Sequence, residues 1–272
     1  MLTFLEEQRR QYQIFLNVTE RLLEAGYGPL ATEPYRQEAF RTDHTPAILE
    51  VMASFSPDTV EWPLKVFSTG PLFLPGRSRW TEAIDAEWVG PIGASEQRQV
   101  LDVVNASIDA FSSEGLPDAD LTMVFGEVQW LRKLAESWGL SDDEIQDFVA
   151  QLKAGRLAAV DGYRERAGEA GWALLRPQPT TEFFSQLRRF VPEAKPPVLD
   201  QNWRSLWDLS LTGQRAYHTG LVFALHHDRT RQALISGGRF DLNVGGRTFS
   251  GMGFTVNLDA VREALREAEH VL

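Results

Sequence analysis

The chain has 272 residues, 43% of them hydrophobic and 11% aromatic, enough apolar mass to bury a large core, and its lack of cysteine excludes disulfides and thiolate metal sites. With 38 acidic against 27 basic residues its formal net charge is −11, the wrong sign for a surface that must neutralise phosphates, so no nucleic-acid partner is expected. No apolar run approaches a membrane span, and Met1-Leu2-Thr3-Phe4-Leu5-Glu6-Glu7 turns acidic too early for a signal peptide; a cytoplasmic protein with no membrane partner is expected.

From Phe4 to Ala25, the residues Phe4, Leu5, Tyr12, Phe15, Leu16, Leu22 and Leu23 recur at roughly helical spacing, and Gly26 and Gly28 supply a stop, which predicts one long amphipathic helix. Pro29 to Pro34 reads as a short strand closed by proline. Phe40-Arg41-Thr42-Asp43-His44-Thr45 precedes an apolar-patterned helix over Pro46 to Phe55, which Asp43 and Thr45 are placed to cap. Leu64 to Leu74 and Ala83 to Gly90 read as strands joined by a polar loop through Arg79. Gln97 to Phe111 is another amphipathic helix, with Val100, Leu101, Val104, Ile108 and Phe111 on one side. Leu121 to Phe125 is a strand, and after Gly126 a helical pattern resumes through Trp138. Ser141-Asp142-Asp143-Glu144 is a capping box, so its acidic cluster reads as a helix start rather than a metal site. A further helical stretch covers Arg156 to Ala167. Arg176-Pro177-Gln178-Pro179 and Pro192 to Pro197 bracket another helix, the second serving as a linker.

Trp203 to Leu211 leads into the stretch where chemistry can sit, Tyr217 to Phe254. Leu221 to Leu225 and Ala233 to Ser236, separated by the polar His227 to Gln232, form a strand–turn–strand pattern. Gly237 and Gly238 come after the second strand. Glycines there mean either an ordinary turn, or a ligand or second backbone closer than a Cβ permits. His226 and His227 are not expected to bind zinc, because adjacent strand residues point to opposite faces and no cysteine assists. Gly251-Met252-Gly253-Phe254 enters a helix over Leu258 to Leu272, with Leu258, Val261, Leu265 and Ala268 on one face and Asn257 as its cap. Neither a nucleophile elbow nor a P-loop motif is present.

Tyr217-His218-Thr219-Gly220-Leu221-Val222-Phe223, Gly237-Gly238-Arg239-Phe240-Asp241 and Gly251-Met252-Gly253-Phe254 together resemble the class II histidyl-tRNA synthetase catalytic core, whose segments run Tyr-Tyr-Thr-Gly-x-Val-Phe, Gly-Gly-Arg-Tyr-Asp and Gly-x-Gly. The resemblance covers nearly the whole chain in order. It implies an α+β fold, a class II aminoacyl-tRNA synthetase-like antiparallel sheet flanked by helices. It also implies a single domain over residues 1–272, with a helical insertion at about 115–196 and no anticodon-binding domain. Phe4 to Pro34 is similar to the family's motif 1, which forms its dimer interface; the alternative is a surface helix packed on its own core. Arg41 to Thr45 resembles Leu-Arg-Pro-Asp/Glu-x-Thr with Thr42 replacing proline. The implied role of Asp43 and Thr45 is to hold the amino group of bound histidine, since a buried ammonium needs a charge partner. Thr32 and Asp43 stand closer together than in the family, implying a lost β excursion. Leu64 to Gly90 resembles motif 2. Arg79 and Glu87 are kept, with Glu87 implied to face the imidazole, while Trp80, Ala83 and Asp85 replace glutamate, glutamine and glycine. The family has an Arg-Gly pair just before the tyrosine, and Arg215 is implied to stand in for that arginine at a shifted position.

A histidine at position 218 makes the segment resemble the synthetase's non-catalytic paralogue, the regulatory subunit of ATP phosphoribosyltransferase. Leu74 and Ala260 stand where the family places arginines on ATP, and adenylation needs such cations at the developing phosphate charge. The resemblance therefore implies a regulatory subunit with no catalytic residues, no cofactor and no metal, required for the first step of histidine biosynthesis. Its implied partners are the short-form ATP phosphoribosyltransferase catalytic subunit, a second copy in a homodimer, and L-histidine as feedback effector. The implied effector site is Asp43, Thr45, Glu87, Tyr217, His218, Gly238 and Arg239. Two alternatives stay open: a divergent synthetase paralogue with residual amino-acid-activating activity, and a binding module serving another partner.

Overall fold

The computed structural model describes residues 4–33, 35–36, 39–55, 61–73, 80–197, 203–213 and 215–269. In chain order the elements are α1 Phe4–Glu24, β1 Gly28–Pro29, β2 Tyr35–Arg36, β3 Ala39–Phe40, α2 Thr45–Ser54, β4 Leu64–Leu72, β5 Thr81–Val89 and α3 Ala94–Ser113. They continue with β6 Leu121–Glu127, α4 Val128–Ser137, α5 Asp142–Lys153, α6 Arg164–Ala173, β7 Gln178–Pro179, α7 Thr180–Leu187, β8 Arg204–Trp207, β9 His218–His227, β10 Ala233–Val244, β11 Arg247–Asn257 and α8 Leu258–Glu269.

A nine-stranded sheet in the order β1-β4-β5-β11-β10-β9-β6-β8-β7 organises the chain. The expected antiparallel sheet is the run from β4 to β6, but the sheet as a whole is mixed, because β1 joins β4 and β8 joins β6 in parallel. The helices α4 to α7 lie between β6 and β8 in sequence, and only a crossover of that kind lets neighbouring strands run the same way. This crossover occupies most of the expected insertion. Alternation along β5 separates two surfaces. Ile84, Ala86 and Trp88 belong to the main core, while Thr81, Ala83 and Glu87 line a cavity on the other face.

The helices close the core by placing apolar residues at helical intervals. Ile14, Val18 and Leu22 of α1, Val100, Val104, Ile108 and Phe111 of α3, and Leu258, Val261 and Leu265 of α8 are buried in one cluster with Met252, Phe254 and Val256 of β11. Each such side chain contributes about 1.5–3 kcal/mol by leaving water. Beyond β6, Trp207 meets Phe125, Trp130, Phe183 and Phe184 with ring centroids 5.2, 5.5, 5.5 and 5.0 Å away. A smaller cluster packs Ile48, Leu49 and Met52 of α2 against Val89, Phe240 and Phe249.

Some elements differ from the sequence expectation, each for a reason in the backbone. The strand expected over Pro29 to Pro34 is only Gly28–Pro29, paired with Val66 and Phe67; Pro29 has no N–H with which to extend the ladder, and Pro34 lies outside the described residues. Between Thr32 and Asp43, where the resemblance implies a shortened segment, the two-residue strands β2 and β3 pair antiparallel, with Tyr35 opposite Phe40. The helix expected over Arg156 to Ala167 is a tight 3-10 segment, Leu157–Tyr163, followed by α6, which breaks at Gly168 where φ is +62°. Gly237 and Gly238 lie inside β10 rather than after it. Close approach explains them: a Cβ on Gly237 would lie 2.3 Å from Gly253 O, and one on Gly238 2.7 Å from Leu221 O. The capping box at Ser141 is present, with Ser141 N–H donating to Glu144 Oε2 at 2.7 Å, and Asn257 Oδ1 accepts from Ala260 N–H at 3.0 Å. Leu74 and Arg79 lie outside the described residues. Among the described residues, no helix is long and apolar enough to cross a membrane.

Candidate functional site

Across the sheet, Glu87 stands opposite Gly253, Gly253 opposite Gly238, Gly238 opposite Val222, and Val222 opposite Gly126. Residues directly opposite share a face, so Gly253 and Gly238 stand side by side next to Glu87 and leave a trough floored by backbone, with Val222 separating them from Gly126. The space is used by neighbours. A Cβ on Gly253 would lie 1.8 Å from Glu87 Oε2, and one on Gly126 would lie 1.9 Å from Leu211 O. The trough opens into a cavity of about 360 Å³, within the size range of small-molecule sites. Its lining follows β5 from Glu87 to Thr81, roughly 20 Å at about 3.3 Å per residue.

One end of the cavity is acidic. Asp43 Oδ2 forms an ion pair with Arg215 Nε at 3.0 Å and accepts from the Tyr217 hydroxyl, while Asp43 Oδ1 accepts from Thr45 N–H at 3.1 Å. The Thr45 hydroxyl donates to Glu87 Oε1 at 2.5 Å, and Glu87 Oε2 is buried with no hydrogen-bond partner among the described residues. Burial pushes the Glu87 carboxyl well above its usual range, nearby Asp85 and Asp43 push the same way, and the Thr45 bond only partly offsets them. Burial likewise raises Asp43, against the opposing pull of Arg215 and Tyr217. Burial, then the Asp43 charge, raises the Tyr217 phenol, so it stays a donor.

Beneath this end lies a pair that sequence reasoning missed. His44 Nδ1 is 2.6 Å from Asp85 Oδ2, both side chains are almost fully buried, and the Thr255 hydroxyl donates to Asp85 Oδ1. His44 sits between Asp43 and Thr45, so the bond fastens that segment to β5. A signal existed: Asp85 stands where the resembled pattern has glycine, and His44 fills that pattern's variable position.

His218 lines the cavity beside Tyr217, and its neutral ring has Nδ1 buried without a partner among the described residues. Burial, with Lys153 and Arg215 nearby, depresses it to about 4. Gly213, with φ of +77°, makes room for the ring, since a Cβ there would lie 1.9 Å from His218 Nδ1. From α5, Lys153 Nζ donates to Ala216 O at 2.9 Å and His218 O at 2.8 Å, tying the helical crossover to this wall.

Of the seven residues singled out from sequence, Asp43, Thr45, Glu87, Tyr217, His218 and Gly238 all line the cavity. Arg239 does not. It alternates with Phe240, which lines the cavity, and its stem crosses Gly220 on the other face, where a Cβ would lie 2.8 Å from Arg239 Cδ. There it offsets the effect of burial on Glu127, whose carboxyl is raised to about 7. The far end of the cavity is lined by His226, Arg231, Gln232 and Asn257, with Asn257 Nδ2 donating to Gln232 Oε1 at 3.1 Å. His226 lines the cavity while His227 is buried on the opposite side near Asp120, and no described cluster of three or more His, Cys, Asp or Glu could hold a metal. Ala260, at 1% exposure, is part of the core under α8 and presents nothing to the cavity.

The chain is similar to the ATP phosphoribosyltransferase regulatory subunit of Shouchella clausii, with 26% identity over 259 residues, which is 84% of this chain and 64% of that protein's length. The chain thus spans somewhat less than two thirds of that relative. Its fold matches histidyl-tRNA synthetase from Nostoc sp. (TM-score 0.74, 15% identity, covering 97% of this chain and 73% of that one). It also matches a chain of the ATP phosphoribosyl transferase (HisG:HisZ) complex from Thermotoga maritima (TM-score 0.62, 14% identity, covering 91% and 97%). These likenesses make the architecture that of a class II synthetase. The family model of histidyl-tRNA synthetase matches residues 33–261, and the chain belongs to that family.

Proposed function

We propose that the chain is a non-catalytic regulatory subunit of ATP phosphoribosyltransferase, bound to the short-form catalytic subunit, and that its cavity takes L-histidine as an effector. The observation that carries this reading is the paired-carboxylate end of the cavity, Asp43 and Glu87 held together through Thr45 and faced by Tyr217. Carboxylates suit an amino group and an imidazole N–H. The name of the Shouchella clausii relative supports the partner. No cation stands at Ala260 to meet a triphosphate, which speaks against adenylation. Histidine would act by binding two states of the complex unequally.

The test is reconstitution. Phosphoribosyl transfer by the purified catalytic subunit is measured with and without the chain, and with L-histidine added; ATP–pyrophosphate exchange is measured on the chain alone. The reading expects a rate that depends on the chain, sensitivity to histidine, and no exchange. Histidine-dependent exchange would instead favour a divergent amino-acid-activating paralogue.

The same reading includes a homodimer through α1. This helix buries Ile14, Val18 and Leu22 yet leaves Leu5, Tyr12, Leu16 and Leu23 exposed at 75%, 62%, 39% and 54%. Those four positions follow one another at steps of seven, four and seven residues and form one line along the helix, a surface that a second copy covers symmetrically. Light scattering on Leu16→Glu is expected to show a monomer where the unmodified chain shows a dimer.

A further inference from the structure

At the acidic end of the cavity, the carboxylate suited to a ligand's ammonium is already engaged. Asp43 Oδ2 is ion-paired with Arg215 Nε, at 3.0 Å, and accepts from the Tyr217 hydroxyl, and Oδ1 accepts from Thr45 N–H at 3.1 Å. Arg215 is fixed further by donating through Nη2 to Thr42 O at 2.5 Å. Glu87 is the contrast: it lines the cavity with Oε1 bonded to Thr45, but its Oε2 is buried and unpartnered among the described residues. We infer that Arg215 is a specificity-determining residue that competes with a ligand's amino group for Asp43, so that the cavity receives the ligand's ring donor at Glu87 first and its ammonium only when Arg215 moves aside. This rests on the reading of the cavity as a histidine site.

The physical basis is a contest between like groups. A guanidinium and an ammonium both satisfy a carboxylate, and two cations held on one oxygen repel each other. Arg215 also has a way out. Its side chain is 33% exposed, while that of Asp43 is 13% exposed, so the guanidinium can be traded for solvent as the carboxylate stays in place. Gly213, which is left-handed, lines the cavity together with Arg215. A ligand that needs the open arrangement binds with its intrinsic affinity reduced by the fraction of molecules in which Arg215 has left. A ligand that uses Glu87 alone is not so penalised.

The experiment is calorimetry on the purified chain with two probes, L-histidine and 3-(imidazol-4-yl)propanoate, which is histidine without its amine. For Arg215→Met, the affinity for L-histidine is expected to rise about tenfold while the affinity for the amine-free probe stays within a factor of about two. Arg215→Lys, which keeps a cation beside Asp43, is expected to bind both probes as the unmodified chain does. If the Met variant does not fold, Arg215→Gln retains a donor for Thr42 O and gives the same readout. Weaker histidine binding in the neutral variants, or an equal change for both probes, would overturn the competition and make Arg215 part of the binding machinery or of the general structure. An unmodified chain and variants that all fail to bind L-histidine would overturn the histidine reading itself.

Discussion

The Trp207 cluster and the glycine trough belong to the same sheet and are built on opposite principles. Around Trp207, aromatic rings from β6, β8, α4 and α7 meet within 5.5 Å, and every contact is apolar surface withdrawn from water. In the trough, the neighbouring positions Gly253 and Gly238 carry no side chain at all, and they line an open cavity beside the Glu87 carboxyl. The first region converts burial into stability. The second buries a carboxyl, Glu87, without completing its hydrogen bonds, which is costly for stability and makes sense only where something else is to be bound.

The sharpest way to separate the two regions is to damage each in turn. Trp207→Ala removes the centre of the ring cluster and is expected to lower unfolding free energy by about 3–5 kcal/mol in urea titration, with histidine affinity of the remaining folded protein unchanged. Gly253→Ala places a methyl group where Glu87 Oε2 lies, and is expected to cost about 1–3 kcal/mol and at least about tenfold in ligand affinity. Should Gly253→Ala leave affinity intact while Trp207→Ala abolishes it, the division of labour drawn here would be wrong.

A smaller effect is expected from pH, and Glu127 and His218 act in opposite directions. Glu127 titrates at about 7 when folded against 4.5 as its ordinary value, so the folded chain holds this proton more tightly. Its contribution to stability is full below pH 4.5 and is lost as pH rises through about 7. His218 is depressed to about 4 from 6.5, so its contribution is full above pH 6.5 and is lost as pH falls towards 4. Stability curves of Glu127→Gln and His218→Asn against pH are expected to lose these slopes separately, the first on the neutral side and the second on the acid side. Smallest of all, Lys153→Met is expected to change global stability by under about 1 kcal/mol while speeding amide exchange over residues 216–218, because it removes only the tie from α5.

Most helices and strands were legible because their apolar periodicity is local. The gathering of Asp43, Thr45, Glu87, Tyr217, His218 and Gly238 followed from the family pattern rather than from any spacing. Arg239 shows what that pattern hides: strand alternation sends it to the face opposite Phe240, where it meets Gly220. The His44–Asp85 bond and the Arg215–Asp43 pair join residues far apart in the chain, and the one hint of either was Asp85 standing where the resembled pattern has glycine, which marks a departure without naming its partner. The placement of Gly237 and Gly238 was mistaken for a related reason. A glycine that makes way for a neighbouring strand looks the same in sequence as one that ends its own.

The trough also limits how this cavity can change through descent. Its floor is main chain, and main chain offers selection nothing to substitute except towards closure, since any side chain acquired at Gly253 or Gly126 collides with Glu87 or Leu211. New ligands can therefore arise only by exchange at the rim, among positions such as Asp43, Arg215, His218 and Arg231. A lineage can alter what the cavity accepts many times over on an unaltered sheet. It can silence the cavity with a single methyl group.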